Sequence, residues 1–227
     1  MRTAIWFGLL LATCRPQPQA APGTARQPAE KPLLRMEETK RSLLPSDARR
    51  ATIRRITDGD TVETQTGEKI RYIGIDTPER EDSFYREATE FNRALIEGKE
   101  VFLEHDVEPT DTHGRTLAYV WTREGEREIL VNAELVRAGL AKVYTHPPNV
   151  RHTETFQACQ QEARREMRGM WKNYVLGGEE YYVATQKGRA YHRPSCKDIS
   201  KAKDFRKFKD QGEALDIGLS PCRNCKP

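Results

Sequence analysis

No apolar run in this chain is long enough to cross a bilayer. The longest, Ala4-Ile5-Trp6-Phe7-Gly8-Leu9-Leu10-Leu11-Ala12, falls well short of the ~20 residues a spanning helix needs. Nor is there an even set of cysteines: the five, Cys14, Cys159, Cys196, Cys222 and Cys225, argue against a simple disulfide framework. Aromatics are scarce at 8%, and hydrophobic residues reach 37% against 32% charged, which limits the chain to a modest core under a polar surface. No sign of charge dominates either, since the net is +4 over 227 residues. That small excess is uneven. Residues 187–227 carry 11 Lys/Arg against 5 Asp/Glu, a net of +6, which leaves −2 for everything before them. A basic segment on a near-neutral body suits a polyanionic partner, although a solvated surface is the commoner meaning of such a bias.

Arg2 followed by the short apolar run has the layout of a secretory signal. The run ends Leu11-Ala12-Thr13-Cys14, which resembles a bacterial lipoprotein signal, in which the cysteine is lipidated and becomes the mature amino terminus. Thr13 departs from the Gly, Ala or Ser usual before that cysteine; ordinary cleavage nearby, with Cys14 incidental, is the other reading. The expectation is an exported protein of the bacterial cell envelope, lipid-anchored through Cys14 or secreted. Residues 1–14 would be the signal. Residues 15–50, rich in Pro, Gln and mixed charge without an apolar period, would be a linker holding a folded body off the membrane.

That body, residues 51–176, is organised around Ile70-Arg71-Tyr72-Ile73-Gly74-Ile75-Asp76-Thr77-Pro78-Glu79. Basic and apolar residues alternate as in a half-buried strand, and Thr-Pro stops it, because proline cannot donate to a ladder and forces an extended residue before it. Upstream, Asp58-Gly59-Asp60-Thr61 reads as a hairpin turn that would bring Asp60 beside Asp76. Ser83 to about Glu97 has helical spacing with Ser83 as N-cap; strands follow at Val101–Leu103 and Leu117–Trp121, then a strand-to-helix segment from Ile129 to Ala138. A last helix from about Thr153 to Met167 carries Phe156, Cys159, Ala163 and Met167 on its apolar face, which makes Cys159 a small buried hydrophobe. The fold expected is α+β, mainly β: a small curved barrel of OB type flanked by helices.

Five pieces then fall in order: Asp58-Gly59-Asp60-Thr61, Arg71 with Ile75-Asp76-Thr77-Pro78-Glu79, His113-Gly114-Arg115 before Leu117-Ala118-Tyr119, Glu134 to Ala141, and Trp171. Through them residues 52–172 resemble the staphylococcal nuclease (thermonuclease) family. The resemblance implies a five-stranded OB barrel with three helices and a phosphodiesterase of DNA and/or RNA, with low sequence specificity, leaving 3′-phosphates. It also implies that Asp60, Asp76 and the Thr77 carbonyl hold Ca²⁺, the oxygen set a hard cation wants. Glu79 would act on the attacking water, and Arg71 and Arg115 would donate to the phosphate, where a guanidinium fork fits. Formal charge at that site sums to +1, which favours the dianionic transition state over the monoanionic ground state. Departures from the pattern are a short loop after Glu79, and Thr112 and His113 where the staphylococcal enzyme has a lysine and a tyrosine on a terminal phosphate. His113 would replace the tyrosine as donor, and Tyr144 would be a platform for a base. The competing reading is a catalytically silent nucleic-acid-binding or DNA-uptake accessory protein on the same fold, a class that loses these site residues.

After Gly177-Gly178 the pattern restarts over residues 179–227. His192 and Cys196 are spaced H-x₃-C, and Cys222 and Cys225 C-x₂-C, a Cys₃His set that suits a structural, tetrahedral Zn²⁺. A module this small needs such a staple. It resembles the metal-binding domain of the Ada methyl-repair protein, except that His192 stands where that family has its methyl-accepting cysteine, which argues against methyl transfer. Basic residues around it offer phosphate contacts or simple solubility, and Cys222 and Cys225 would form a disulfide where zinc is scarce.

Overall fold

Two tight turns divide the first β-branched segments into a meander. A computed structural model describes residues 42–173 and 178–227; Cys14, the apolar leader and the linker before Ser42 lie outside the described residues. In it β1 (Arg49–Ile56), β2 (Thr61–Thr64) and β3 (Lys69–Tyr72) pair antiparallel in sequence. Gly67 supplies the left-handed backbone of the second turn at φ 85°. A two-residue strand, β4 (Ile75–Asp76), and helix α1 (Tyr85–Ile96) come next. β5 (Glu100–Glu104) returns antiparallel to β1, and β6 (Thr116–Glu124) antiparallel to β5. The sheet closes because β6 also runs parallel to β3, with Ile70 beside Thr116 and Tyr72 beside Ala118. Five strands in the order β3-β2-β1-β5-β6 thus make a closed barrel, and β7 (Arg127–Leu130) extends it from β6. Closure leaves this sheet few free edges.

Val62, Ile70, Tyr72, Val101, Leu103, Ala118 and Val120 fill the barrel, all essentially inaccessible. Burying an aliphatic side chain of this size contributes roughly 1.5–3 kcal/mol. Helix α2 (Val131–Arg137) adds Val131, Leu135 and Val136 to the same core. Buried polar groups inside it are paired, as burial requires. Asn132 accepts from Val120 N at 2.9 Å and donates to Ile73 O at 2.9 Å. Tyr72 Oη donates to Asn92 of α1 at 3.0 Å, and Asn92 donates to Asp58 O at 3.2 Å, which fixes α1 against the first turn. At the far end of β5, Glu104 is buried among Trp121, Arg151 and His152, each within 2.9 Å. Burial pushes its pKa up, but these three partners outweigh that and hold it below the usual range.

Two details differ from the sequence reading. Ser83 does not cap α1; the helix starts at Tyr85, and Phe84 precedes it in the left-handed region at φ 69° with no side-chain cap. Helix α3 (Thr153–Arg165) buries Phe156, Cys159 and Ala163 as expected, but it has ended before Met167, which turns left-handed at φ 50° and is 64% exposed. Between α2 and α3 lies the short strand β8 (Lys142–Val143), paired antiparallel to β4. The chain ahead of β1 is attached too, from Ser42 on. Glu128 accepts from Ser42 Oγ and Leu43 N at 2.6 Å and from Leu44 N at 2.9 Å, and Leu44 joins the core.

The last fifty residues form β9 (Tyr182–Thr185), β10 (Ala190–Tyr191), β11 (Phe205–Phe208), α4 (Gln211–Asp216) and β12 (Ser220–Pro221). β9 pairs with β11 and β10 with β12, two ladders too small to stand alone. Their apolar residues Tyr182, Ala184, Tyr191, Phe208, Ala214, Leu215 and Leu219 pack into one cluster with Ala163 of α3 and Trp171. Gln160 of α3 donates to Leu215 O at 3.0 Å, Arg164 pairs with Asp216, and Ser220 Oγ donates to Val143 O of β8 at 3.1 Å. The small segment therefore shares its core and its hydrogen bonds with the barrel's helices.

Candidate functional site

Four residues that sequence reasoning singled out meet where β2, β3 and β4 converge. In the β1–β2 turn, Asp58 accepts from Asp60 N at 3.0 Å, and Gly59 lies so close to Thr77 that a Cβ there would sit 2.8 Å from its side chain. Only glycine lets the turn lie flat on the strand end. Asp60, 5% exposed, then accepts at one oxygen from Thr77 N (2.9 Å) and Thr77 Oγ1 (2.9 Å), is ion-paired there with Arg71 Nη1 (3.1 Å), and accepts at the other oxygen from Thr61 Oγ1 (3.1 Å). Arg71 projects from β3 with 14% of its side chain exposed. It donates also to the carbonyls of Tyr72 (2.9 Å) and Ile75 (3.0 Å), and its Nη2 reaches Asp76 Oδ1 at 3.1 Å. One guanidinium thus locks two carboxylates to the strand end, in the fork geometry that arginine offers and lysine does not.

Asp76 is held on β4 opposite Lys142 of β8. Burial raises its pKa, against the pull of Arg71, and the nearby Asp60 adds to the rise. Asp58 is raised as well, by burial first and Asp60 second. Burial thus opposes ionisation of Asp58 and Asp76, and a hard cation bound by oxygen would favour their charged forms. Asp60 and Asp76 therefore fit a divalent-cation site. Beyond Pro78, Asp82 accepts from Glu79 N at 3.1 Å and donates its own amide to Glu79 O at 2.8 Å. The short loop is thus a tight turn that leaves the Glu79 side chain exposed.

Arg115 and His113 lie on a different loop. β6 begins just after Arg115 and runs beside β3, with Leu117 opposite Arg71. Asp111 gathers this loop: it accepts from the amides of His113 and Arg115 at 2.9 Å and from Arg115 Nε at 2.7 Å. Burial works to raise the Asp111 pKa, but these bonds outweigh it and hold it low. Arg115 is half-exposed with its guanidinium on Asp111, and His113 is exposed. Tyr144 follows β8, its amide donating to Gly74 O at 2.9 Å beside β4.

His192, Cys196, Cys222 and Cys225 come together as their spacing implied, with one ligand atom from each inside a 4.8 Å cluster. A tetrahedral ion with ~2.3 Å metal–sulfur bonds separates its ligand atoms by roughly 3.8 Å, so the set needs only a small contraction. Its chemistry fits as well. Burial lowers the His192 pKa, which keeps the imidazole neutral, as a ligand must be. Burial and the neighbouring cysteines push Cys225 up to about 12, so the cluster favours thiols until a cation compensates thiolate charge.

Two side chains at the acidic centre escaped sequence reasoning. Lys142 is one: burial lowers its pKa while Asp76 and Asp82 oppose the shift. Arg223 is the other: its Nη2 is 3.3 Å from Asp76 Oδ2, across 147 residues of sequence. No local signal identifies either, since both depend on which strand β8 and the C-terminal segment pack against.

A closed five-stranded barrel with an acid–arginine cluster at a strand end offers the charges that hydrolysis of a phosphodiester uses. Residues 69–173 match the family model described as staphylococcal nuclease homologue. The chain is 33% identical over 129 residues to the thermonuclease of Staphylococcus intermedius, covering 53% of this chain and 74% of that one. It is 32% identical over 128 residues to the thermonuclease of Staphylococcus hyicus (52% and 73%) and 34% over 122 residues to an uncharacterized endonuclease of Escherichia coli O157:H7 (52% and 74%). The chain belongs to the staphylococcal nuclease family: it is a nuclease that hydrolyses phosphodiester bonds of nucleic acids.

Proposed function

We propose that this nuclease is exported, requires Ca²⁺, cuts DNA and/or RNA with low sequence specificity and leaves 3′-phosphates. The observation that carries the reading is the double ion pair of Arg71 with Asp60 and Asp76, 3.1 Å to each, beside Thr77. Asp60, Asp76 and Thr77 would hold the cation, which supplies charge neutralisation at a phosphate oxygen when bound. Arg71 holds the carboxylates in register and turns a nitrogen to the phosphate as charge grows on it. Glu79, exposed at the rim, takes the proton of the attacking water. Arg115, once it shares its guanidinium between Asp111 and substrate, neutralises a second non-bridging oxygen. Tyr144 and His113 would meet base and terminal phosphate on either side.

The Cys₃His set would hold structural Zn²⁺, and the basic segment around it would add phosphate contacts or stability. The apolar leader supports export to the cell envelope, with Cys14 as a lipid tether. Among the described residues no helix is long and apolar enough to cross a membrane. The test is cleavage of single-stranded DNA by the purified protein with and without Ca²⁺, beside Glu79→Gln. Cleavage only with Ca²⁺, reduced at least ~100-fold in the variant, is expected for loss of a general base. Tight salt-sensitive binding without cleavage would restore the silent binding protein as the better account.

A further inference from the structure

Asp76 is gripped from both sides. Arg71 holds Oδ1 from β3, and Arg223, from the far end of the chain, holds Oδ2. The two arginines differ in one decisive respect: Arg71 is 14% exposed and committed to two carbonyls and two carboxylates, whereas Arg223 is 77% exposed and ion-paired only at its tip. Ion pairs this open to water are weak, ~0–1 kcal/mol, and a phosphate oxygen competes readily for such a guanidinium.

The backbone under Arg223 is far less free than its side chain. Arg223 lies between Cys222 and Cys225, two of the four clustered ligands. Cys222 N donates to Tyr191 O at 2.9 Å, and Lys226 N to Cys222 O at 3.0 Å. Arg193 donates to the carbonyls of Cys225 (3.2 Å) and Lys226 (3.0 Å), and Asn224 to Asp198 at 2.7 Å. This turn is carried by β12, whose Ser220 bonds β8, the strand that pairs with Asp76. A rigid turn thus presents one long cationic side chain to the acidic centre.

We infer that Arg223 is a substrate-binding residue of the nuclease site, contributed by the Cys/His segment: it rests on Asp76 in the free protein and moves to a phosphate of the bound strand. The Cys₃His cluster sets where that arginine stands, so the C-terminal segment acts on cleavage through this contact. The inference rests on the reading of Asp60, Arg71 and Asp76 as the nuclease centre.

The experiment compares Arg223→Ala, Arg223→Lys and Arg50→Ala, an exposed arginine of β1 paired with Glu100, in the full protein with Ca²⁺ and single-stranded DNA. Binding is measured in the Glu79→Gln background, and Arg71→Ala serves as the control for the site itself. Arg223→Ala should raise KM about tenfold with little change in kcat, as loss of a contact common to ground and transition states does. The slope of log affinity against log salt should fall by ~0.7, one phosphate on a single strand. Arg223→Lys should recover most of the salt slope and part of the affinity, and Arg50→Ala should leave KM unchanged. Unaltered KM and slope in Arg223→Ala while Arg71→Ala is inactive would overturn the inference and spare the site. Faster cleavage would overturn it too, by making Arg223 a plug. So would a loss in Arg223→Ala that tracks a lower melting temperature and is not recovered by lysine, because the residue would then be structural. Arg71→Ala with full activity would remove the site reading itself.

Discussion

Replacing Gln160 with leucine tests whether the barrel and the C-terminal segment are bound together in the way the structure indicates. Gln160 is 1% exposed; its Oε1 accepts from Val143 N at 2.9 Å and its Nε2 donates to Leu215 O at 3.0 Å. Leucine has similar volume, so the substitution removes two hydrogen bonds without opening a large cavity. Val143 N is then left buried and unpaired, at about 1–3 kcal/mol, while Leu215 O keeps its bond from Gly218 N (3.0 Å) and loses a second donor, at about 0.5–1.5 kcal/mol, for ~1.5–4.5 kcal/mol together. For a folded body of this size each kcal/mol moves Tm by ~2–4 °C, so the expected fall is about 3–18 °C. The effect also has a local arm. Val143 lies opposite Ile75 and Lys142 opposite Asp76, so freeing Val143 loosens the two-residue ladder that positions Asp76. Cleavage at 20 °C, where the variant remains folded, should therefore fall as well. Calorimetry and steady-state cleavage of single-stranded DNA give the two readouts. A Tm within about 2 °C of the parent would refute the energetic argument. A lower Tm with unaltered kcat/KM would refute the link from Gln160 through β8 to Asp76.

Two further outcomes follow from charged groups elsewhere. Glu128, which fastens Ser42, Leu43 and Leu44, has its pKa pulled from 4.5 to about 2, first by the Ser42 hydroxyl and then, against burial, by the two amides and Arg123. A depressed folded-state pKa means that this attachment stabilises fully above the unfolded value and is lost as pH falls from about 4.5 toward 2. Hydrogen exchange at the Leu43 and Leu44 amides, corrected for intrinsic rate, should speed up across that window, and Glu128→Gln should flatten the profile; pH-independent protection in the parent would contradict the assignment. Loading the protein with Zn²⁺ and then adding a chelator should raise the reactivity of Cys196, Cys222 and Cys225 toward a thiol reagent at least about tenfold, while buried Cys159 stays slow. Equal reactivity with and without Zn²⁺ would rule out that set as a metal site.

The barrel was legible because its instructions are local. Asp58-Gly59-Asp60 and Thr66-Gly67 mark turns by residue type, and the period-two stretches on either side fix which side chains enter the core. The Cys₃His cluster was legible from spacing for the same reason. The errors occurred where tertiary packing overrides local preference: Phe84 takes a left-handed turn because it packs against the core, so α1 begins without the hydroxyl cap Ser83 offered. Met167 keeps the helical spacing of Phe156, Cys159 and Ala163, but α3 has already ended and the chain turns toward Trp171. Arg223 was invisible for a stronger reason. Its role depends on the docking of β12 against β8, a relation between segments ~77 residues apart that no periodicity encodes.

Docking of this kind has an energetic origin. Residues 178–227 comprise a few two- to four-residue strands and one short helix, too little to bury a self-sufficient core. The cluster formed by Tyr182, Tyr191, Phe208, Leu215 and Leu219 is completed by Ala163 and Trp171 from the nuclease side, and a second, smaller cluster forms around Cys196, Cys222 and Ile199. The segment therefore depends on two supports, the helix face it borrows and the ligand set it carries. The borrowed face fixes its orientation, and the ligand set fixes the turn at its tip. Because Arg223 lies at that tip, the turn between Cys222 and Cys225 decides where a charge stands beside Asp76. The C-terminal segment thus places an arginine beside Asp76 without altering any strand of the barrel.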